Sequence, residues 1–210
     1  MKLKILIADD HAVVRQGLKQ ILAEDFDTIE FGEAGNADET LAQTAKSKWD
    51  LLILDINMPG KSGLEILNDL KKLRPELPIL YLSVNSEDQY AIRVIRAGAS
   101  GYLAKDSAPE ELVTAVKKVL TGGKYISASL AEKLAVGLQP KMEKPPHEHL
   151  SNREFQVLRL IASGKTPTEI AGVLSLSVPT ISTYRARILE KMKLNTSAEL
   201  MRYALQNGLV

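Results

Sequence analysis

The sequence predicts two folds in succession: an α/β domain built on a five-stranded, doubly wound parallel sheet, then an all-α domain of four helices. Three observations predict this. Within residues 1–121, five short apolar runs alternate strictly with five helical patterns, and such alternation argues for a parallel sheet with helices on both faces and right-handed crossovers. From Ser151 onward the hydrophobic period is helical throughout. Charge also changes between the halves. Residues 1–120 hold 15 Lys/Arg against 19 Asp/Glu, a net −4, while residues 121–210 hold 12 against 7 with no Asp, a net +5. An acidic half followed by a basic half suggests different partners, the second a polyanion. The expected boundaries are 1–121 for the α/β domain, 122–150 for a linker and 151–210 for the helical domain.

Composition narrows the class. At 45% hydrophobic and 25% charged residues the chain is an ordinary globular protein. It has no cysteine, which excludes disulfides and thiolate metal sites. No stretch reaches the ~18 apolar residues of a membrane span, and Asp9 and Asp10 interrupt the N-terminal apolar run too early for a signal peptide. The expectation is a cytoplasmic protein without a membrane partner.

The first apolar run, LKILIA from Leu3 to Ala8, reads as a buried strand ending on Asp9-Asp10. Val14, Leu18, Ile21 and Leu22 then recur at helical spacing. Thr28 to Ala34 reads as a weaker strand and Asp38 to Lys46 as a short helix. Leu51 to Leu54 is a nearly continuous apolar run, as suits a strand buried on both faces, and it ends on Asp55. Asn57-Met58-Pro59-Gly60 turns the chain, and Ser62 with Glu65 forms a capping box for a helix from Leu64 to Leu73. Ile79 to Leu82 is a fourth strand ending on Ser83, followed by a helix from Glu87 to Ala97. Ser100 to Ala104 is a fifth strand ending on Lys105, and Pro109 opens a fifth helix.

Alone, Asp55 could simply terminate its strand. In a parallel sheet, however, all strand C-termini open on one edge, where open α/β folds bind their ligands. That edge carries Asp9, Asp10, Asp55, Ser83 and Lys105. Three carboxylates make an oxygen-rich site suited to Mg²⁺. A hydroxyl and an ammonium on neighbouring strands could meet the oxygens of a phosphoryl group.

These residues are similar to the receiver domain of two-component response regulators, a flavodoxin-like fold, over roughly residues 3–121. Asp9-Asp10 fall on the family's acidic pair, Asp55 on its phospho-acceptor, and Ser83 and Lys105 on its hydroxyl and lysine. Asn57 falls where the family uses a backbone carbonyl as a metal ligand, and Tyr102 on its aromatic switch position. The resemblance implies transfer of a phosphoryl group from a sensor histidine kinase to Asp55. Mg²⁺ is held by Asp9, Asp10, Asp55 and Asn57, and Lys105 pairs with a phosphoryl oxygen. Ser83 then moves onto the phosphate, and Tyr102 turns inward. Val84 stands where a very small residue is usual, which narrows access. Asp106 stands where proline is common, which weakens any expectation of a cis peptide.

Gly122-Gly123 ends the fifth helix, and a short helix is expected from Leu130 to Val136. QPKMEKPPHEHL, residues 139–150, reads as an extended, mobile linker. His147 and His149 read as solvated linker histidines rather than a metal pair.

The helical half opens with capping boxes at Ser151/Glu154 and Thr166/Glu169, and a third caps a last helix from Thr196/Glu199 to about Asn207. Ser175-Leu176-Ser177 makes a tight turn before a longer helix, about Val178 to Lys193. This fits a helix-turn-helix, although a four-helix interaction module with a solvated basic face has the same pattern. The third helix exposes Ser182, Thr183, Arg185, Ala186 and Arg187, with Lys191 later. Helix N-termini at Thr166 and Val178 could meet phosphates. This segment resembles the LuxR-type helix-turn-helix along its whole length, and receiver, linker and this domain together resemble the NarL/FixJ branch. The recognition helix aligns with Val178 to Lys193 and its base-facing positions with Ser182, Thr183 and Ala186. Lys165, Thr166, Tyr184, Arg185, Arg187 and Lys191 complete the expected contacts with double-stranded DNA. Met201 and Leu205 are candidate dimer residues, which core packing would explain equally well.

The reading is therefore a phosphorylation-activated transcriptional regulator that forms a homodimer when phosphorylated. It is not an enzyme beyond its own phosphorylation and slow dephosphorylation. The rivals are a phospho-switched protein-interaction module, a metal-dependent phosphatase with an aspartyl-phosphate intermediate, and a constitutive DNA-binding protein.

Overall fold

The computed structural model describes residues 2–83, 88–127, 130–132 and 145–210. The chain forms two compact units, 1–139 and 140–210.

The first unit is a five-stranded parallel sheet of β1 (Leu3–Ala8), β2 (Ile29–Ala34), β3 (Leu51–Asp55), β4 (Ile79–Ser83) and β5 (Gly101–Ala104), in the order β2-β1-β3-β4-β5. Every residue of β3 and β4 is buried, as their unbroken apolar runs require, whereas β2 at one edge keeps only Ala34 buried. Side chains alternate across a strand. Ile5, Ile7, Leu51, Ile53, Leu80 and Leu82 therefore share a core with Leu18 and Leu22 of α1 (Ala12–Asp25) and Leu112, Val116 and Val119 of α5 (Ala108–Leu120). Leu6, Leu52, Leu54 and Tyr81 face the other way. The other helices are α2 (Ala37–Lys46), α3 (Gly63–Leu73) and α4 (Asp88–Arg96).

Several boundaries differ from the sequence reading for local reasons. α2 begins at Ala37 because Asn36 caps it, accepting from the Glu39 amide at 2.9 Å. A 3-10 turn, Lys105–Ser107, leads into α5 one residue before Pro109. No cis peptide occurs among the described residues. After α5 the chain returns to the sheet: Tyr125 pairs with Gly101, its carbonyl accepting from the Tyr102 amide and its amide donating to the Ser100 carbonyl. Leu130–Glu132 are helical, while the rest of the expected helix to Val136 lies outside the described residues.

The second unit holds α6 (Asn152–Ala162), α7 (Pro167–Leu174), α8 (Val178–Met192) and α9 (Ser197–Gln206). Two of its three capping boxes form as read: Glu154 accepts from the Ser151 amide and Glu169 from the Thr166 amide, each at 2.7 Å. At the last helix the Thr196 hydroxyl accepts from the Glu199 amide, while the Glu199 carboxylate accepts from the Asn195 amide instead. Phe155, Leu158, Ile170, Ile181, Ile188 and Leu200 make the core. Two buried arginines staple it, Arg153 donating to the Leu174 carbonyl at 2.9 Å and Arg159 to the Leu209 carbonyl at 2.8 Å.

The solvated-histidine expectation is half wrong. Residues 146–149 form a 3-10 turn, and His147 is 4% exposed. Its Nδ1 lies 2.8 Å from the Tyr203 hydroxyl, and its ring contacts Phe155 and Tyr203. The Pro145-Pro146 pair turns the chain onto the domain rather than away from it. His149 is exposed.

Candidate functional site

The sheet order changes direction between β1 and β3, and ligands of doubly wound sheets bind at that switch point. Ala8 is the register partner of Leu54, so Asp9 and Asp55 emerge side by side. Each is 1% exposed. Ser83, fully buried, follows Leu82, the partner of Asp55 on β4. Lys105 arrives from the end of β5 and spans the carboxylates: its Nζ is 2.6 Å from Asp9 Oδ2 and 3.1 Å from Asp55 Oδ2. Asp10 is exposed at the rim. The structure thus brings Asp9, Asp10, Asp55 and Lys105 together. Asn57 sits two residues beyond Asp55, exposed, with its amide acting on the Asp55 carboxylate. Val84 lies outside the described residues.

Electrostatics follow from burial. Desolvation pushes the Asp55 carboxyl above the usual carboxylate range; Lys105 pulls against it, and Asp9 adds to the rise. Burial alone would lower Lys105, but its bond to Asp9 and the charges of Asp55 and Asp9 outweigh that and raise it. Asp55 Oδ1 is buried without a hydrogen-bond partner. A buried, unsatisfied carboxylate oxygen is costly unless something positive meets it. One donor atom from each of Asp9, Asp10, His11 and Asp55 lies within 4.8 Å of the others. This donor set fits a divalent cation.

The sequence reading missed several residues that build this site. Gly63, the first residue of α3, is pressed against the acceptor's own backbone: a Cβ there would lie 2.2 Å from the Asp55 carbonyl oxygen. The buried Tyr81 hydroxyl donates to the Gly63 carbonyl at 2.8 Å, pinning α3 beside β3. Arg15 donates to the Asp9 carbonyl at 2.6 Å and to Glu33 at 2.7 Å, fixing the loop that carries the acidic pair. His11 sits beside Asp9 and Asp10, and its adjacency to the pair was the available signal. Tyr102 is buried, the inward placement that the resemblance associates with phosphorylation.

On the second unit, Ser182, Thr183, Arg185, Ala186 and Arg187 form an exposed face of α8, with Tyr184 half-buried beside them. The Ser182 and Thr183 hydroxyls back-bond to the Val178 and Pro179 carbonyls, and Arg185 Nε donates to Ser197 Oγ at 2.6 Å. Lys165 is exposed at the entry to α7. Two expected contacts are otherwise engaged. Lys191 bonds the buried Glu154 at 2.7 Å, and the Thr166 amide and hydroxyl both donate to Glu169. That carboxylate also opposes an anion at the α7 N-terminus. Leu205 is 66% exposed, so core packing does not account for it.

Comparison with known proteins agrees with both halves. Residues 5–117 match the response regulator receiver domain, and residues 148–204 match the bacterial regulatory proteins of the luxR family. The response regulator GacA of Pseudomonas aeruginosa is 35% identical over 209 residues, covering 99% of this chain and 98% of that protein. The response regulator UvrY of Escherichia coli is 34% identical over 209 residues, covering 99% and 95%. Among solved structures, RcsB of Salmonella enterica serovar Typhimurium, bound to the rprA promoter with the phosphomimetic BeF3-, is 28% identical with a TM-score of 0.66, covering 97% of this chain and 98% of that one. Two RcsB dimers bound to two parallel DNAs give a TM-score of 0.59 at 28% identity, covering 97% and 98%. With a receiver fold whose strand ends carry the acidic pair, aspartate and lysine, and a LuxR-type helix-turn-helix behind it, the chain belongs to the NarL/FixJ type of two-component response regulators.

Proposed function

We propose that Asp55 accepts a phosphoryl group from a sensor histidine kinase and that this event controls binding of double-stranded DNA through α8. The observation that carries the reading is the buried Asp55, held against Lys105 at the β1/β3 switch point with one carboxylate oxygen unpartnered. In the reaction an Asp55 oxygen attacks phosphorus, the P–N bond to the donor histidine breaks, and an acyl phosphate forms. Lys105 then meets one phosphoryl oxygen and Ser83 donates to another, a reading supported by the Lys105 ammonium lying 3.1 Å from Asp55 Oδ2. Asp9, Asp10, Asp55 and the Asn57 carbonyl would hold Mg²⁺, whose charge offsets that developing on the transferred group. A phosphate beside Lys105 competes with Asp9 for its ammonium, a local charge change that reaches β5 and Tyr102.

Ser182, Thr183 and Ala186 are the proposed base-facing residues, and Arg185, Arg187 and Lys165 the phosphate contacts. Helix-turn-helix dimers read paired half-sites, and RcsB binds DNA as dimers. A phosphorylation-favoured homodimer is therefore the working assembly, with the exposed Leu205 as a candidate contact. The receiver loads once and hydrolyses slowly rather than turning over phosphate esters.

The test is intact mass after incubation with acetyl phosphate and Mg²⁺, for wild type and Asp55→Asn, with size-exclusion chromatography alongside. One added phosphoryl group, labile to hydroxylamine and absent in the variant, with a shift towards dimer, is expected. Loading of Asp55→Asn at the wild-type level would overturn the assignment of the acceptor.

A further inference from the structure

We propose that His11 is itself a ligand of the cation held by Asp9, Asp10 and Asp55, and that its imidazole turns the site towards divalent transition-metal ions over Mg²⁺. The inference rests on the reading that these carboxylates hold a divalent cation.

His11 Nδ1 lies 2.8 Å from Asp10 Oδ1 and 3.2 Å from Asp9 Oδ1. Around an ion with ligands at roughly 2.1 Å, adjacent octahedral donors stand about 3.0 Å apart, so each of these two spacings matches a pair of neighbouring positions around one ion. The fourth donor comes from Asp55, whose buried Oδ1 has no hydrogen-bond partner. Lys105 does not compete for these donors, because it engages Asp9 Oδ2 and Asp55 Oδ2.

The ring position is not explained by helix capping. His11 is the N-cap residue of α1, yet its side chain makes no cap bond, and its amide donates instead to Asp9 Oδ1 at 2.8 Å. The side chain is 66% exposed, which leaves coordination positions open to water. A carboxylate-only site suits Mg²⁺, which prefers oxygen and sheds water reluctantly. A neutral imidazole nitrogen adds far more to the binding of Mn²⁺, Co²⁺ or Ni²⁺, whose affinities for nitrogen-containing sites rise along the Irving–Williams series. Ligation through Nδ1 uses that nitrogen's lone pair, with the ring proton carried on Nε2.

The test is calorimetric titration of the untagged full-length protein with MgCl2 and, separately, NiCl2, for wild type, His11→Ala and Asp10→Ala. Wild type should bind Ni²⁺ more tightly than Mg²⁺. In His11→Ala, Ni²⁺ affinity should fall by on the order of 10-fold or more, the scale that even outer partners of a ligand reach. Mg²⁺ affinity should stay within about threefold, since Mg²⁺ gains little from imidazole, and this also reports that the acidic site is folded. Asp10→Ala should lose both ions, separating this site from the other two histidines. An unchanged Ni²⁺/Mg²⁺ ratio in His11→Ala would overturn the histidine assignment while leaving the carboxylate site standing. Failure of wild type to bind either ion would overturn the cation reading and this inference together.

Discussion

Replacing Gly63 by alanine should damage the receiver at its reactive residue, although the same substitution stabilises most helices. Gly63 lies in the first turn of α3, where exchange to alanine would ordinarily gain roughly 0.5–1 kcal/mol from helix propensity. Here the new Cβ would stand 2.2 Å from the Asp55 carbonyl oxygen and 3.2 Å from Leu54 Cγ. Relieving the first contact to an ordinary separation needs about 1 Å of movement between α3 and the end of β3, and Tyr81 opposes it by holding the Gly63 carbonyl. Forced overpacking of this kind costs about 1–3 kcal/mol. The net expectation is a loss of about 1–2 kcal/mol, or several degrees in the melting temperature of a unit this size. The internal control is Gly17→Ala, in α1, where a Cβ meets nothing within 4 Å. There the same exchange should stabilise by roughly 0.5–1 kcal/mol. Urea unfolding of both variants reads the two signs, and acetyl phosphate loading of Gly63→Ala should slow because Asp55 moves with its strand. A Gly63→Ala protein as stable as Gly17→Ala would refute the reasoning.

Two further outcomes follow from the helical unit. Burial pushes the Glu154 carboxyl up, but the bonds from Lys191 and Ser151 outweigh it and hold it below the usual 4.5. A lowered carboxyl stabilises above its unfolded value and loses that stability as pH falls through the folded one. Lys191→Met should therefore cost about 1 kcal/mol near neutrality, with the gap from wild type closing below pH 4.5; a gap constant down to pH 3 would contradict this. Tyr203→Phe removes the hydroxyl beside the buried His147 and should lower stability by about 1–2 kcal/mol. A urea midpoint unchanged in that variant would mean that the turn at 146–149 does not hold the domain.

What the sequence made legible were features that depend on neighbours in the chain. β3 and β4 announce themselves because a strand buried on both faces must be apolar throughout. The capping boxes are visible because both partners lie within three residues. The carboxylates at strand ends follow once a parallel sheet is inferred. What it hid were pairings across distance. Lys105 meets Asp9 from 96 residues away. Lys191, exposed by periodicity, is drawn to a carboxylate on α6. His147 carries the composition of a linker, yet its ring finds Phe155 and Tyr203, which no local pattern connects to it. Gly63 looks like a helix start and is also the only residue type that lets α3 approach the acceptor's backbone.

The return of Tyr125 to the sheet bears on how copies of this chain can meet. An outer strand offers a row of unpaired amides and carbonyls that a second chain could extend. On β5 the start of that row is already taken, since the Tyr102 amide and the Ser100 carbonyl are bound to Tyr125. The opposite border, β2, is guarded differently. Glu30 and Glu33 stand along it, paired with Lys2, Lys4, Arg15 and Lys19, and a strand added there would have to accommodate those charges. Sheet extension is thus obstructed at both borders by separate devices, one made of backbone and one of charge. A receiver that associates with its own kind would then have to do so through its helical faces, where contacts can form and release without unpicking the fold.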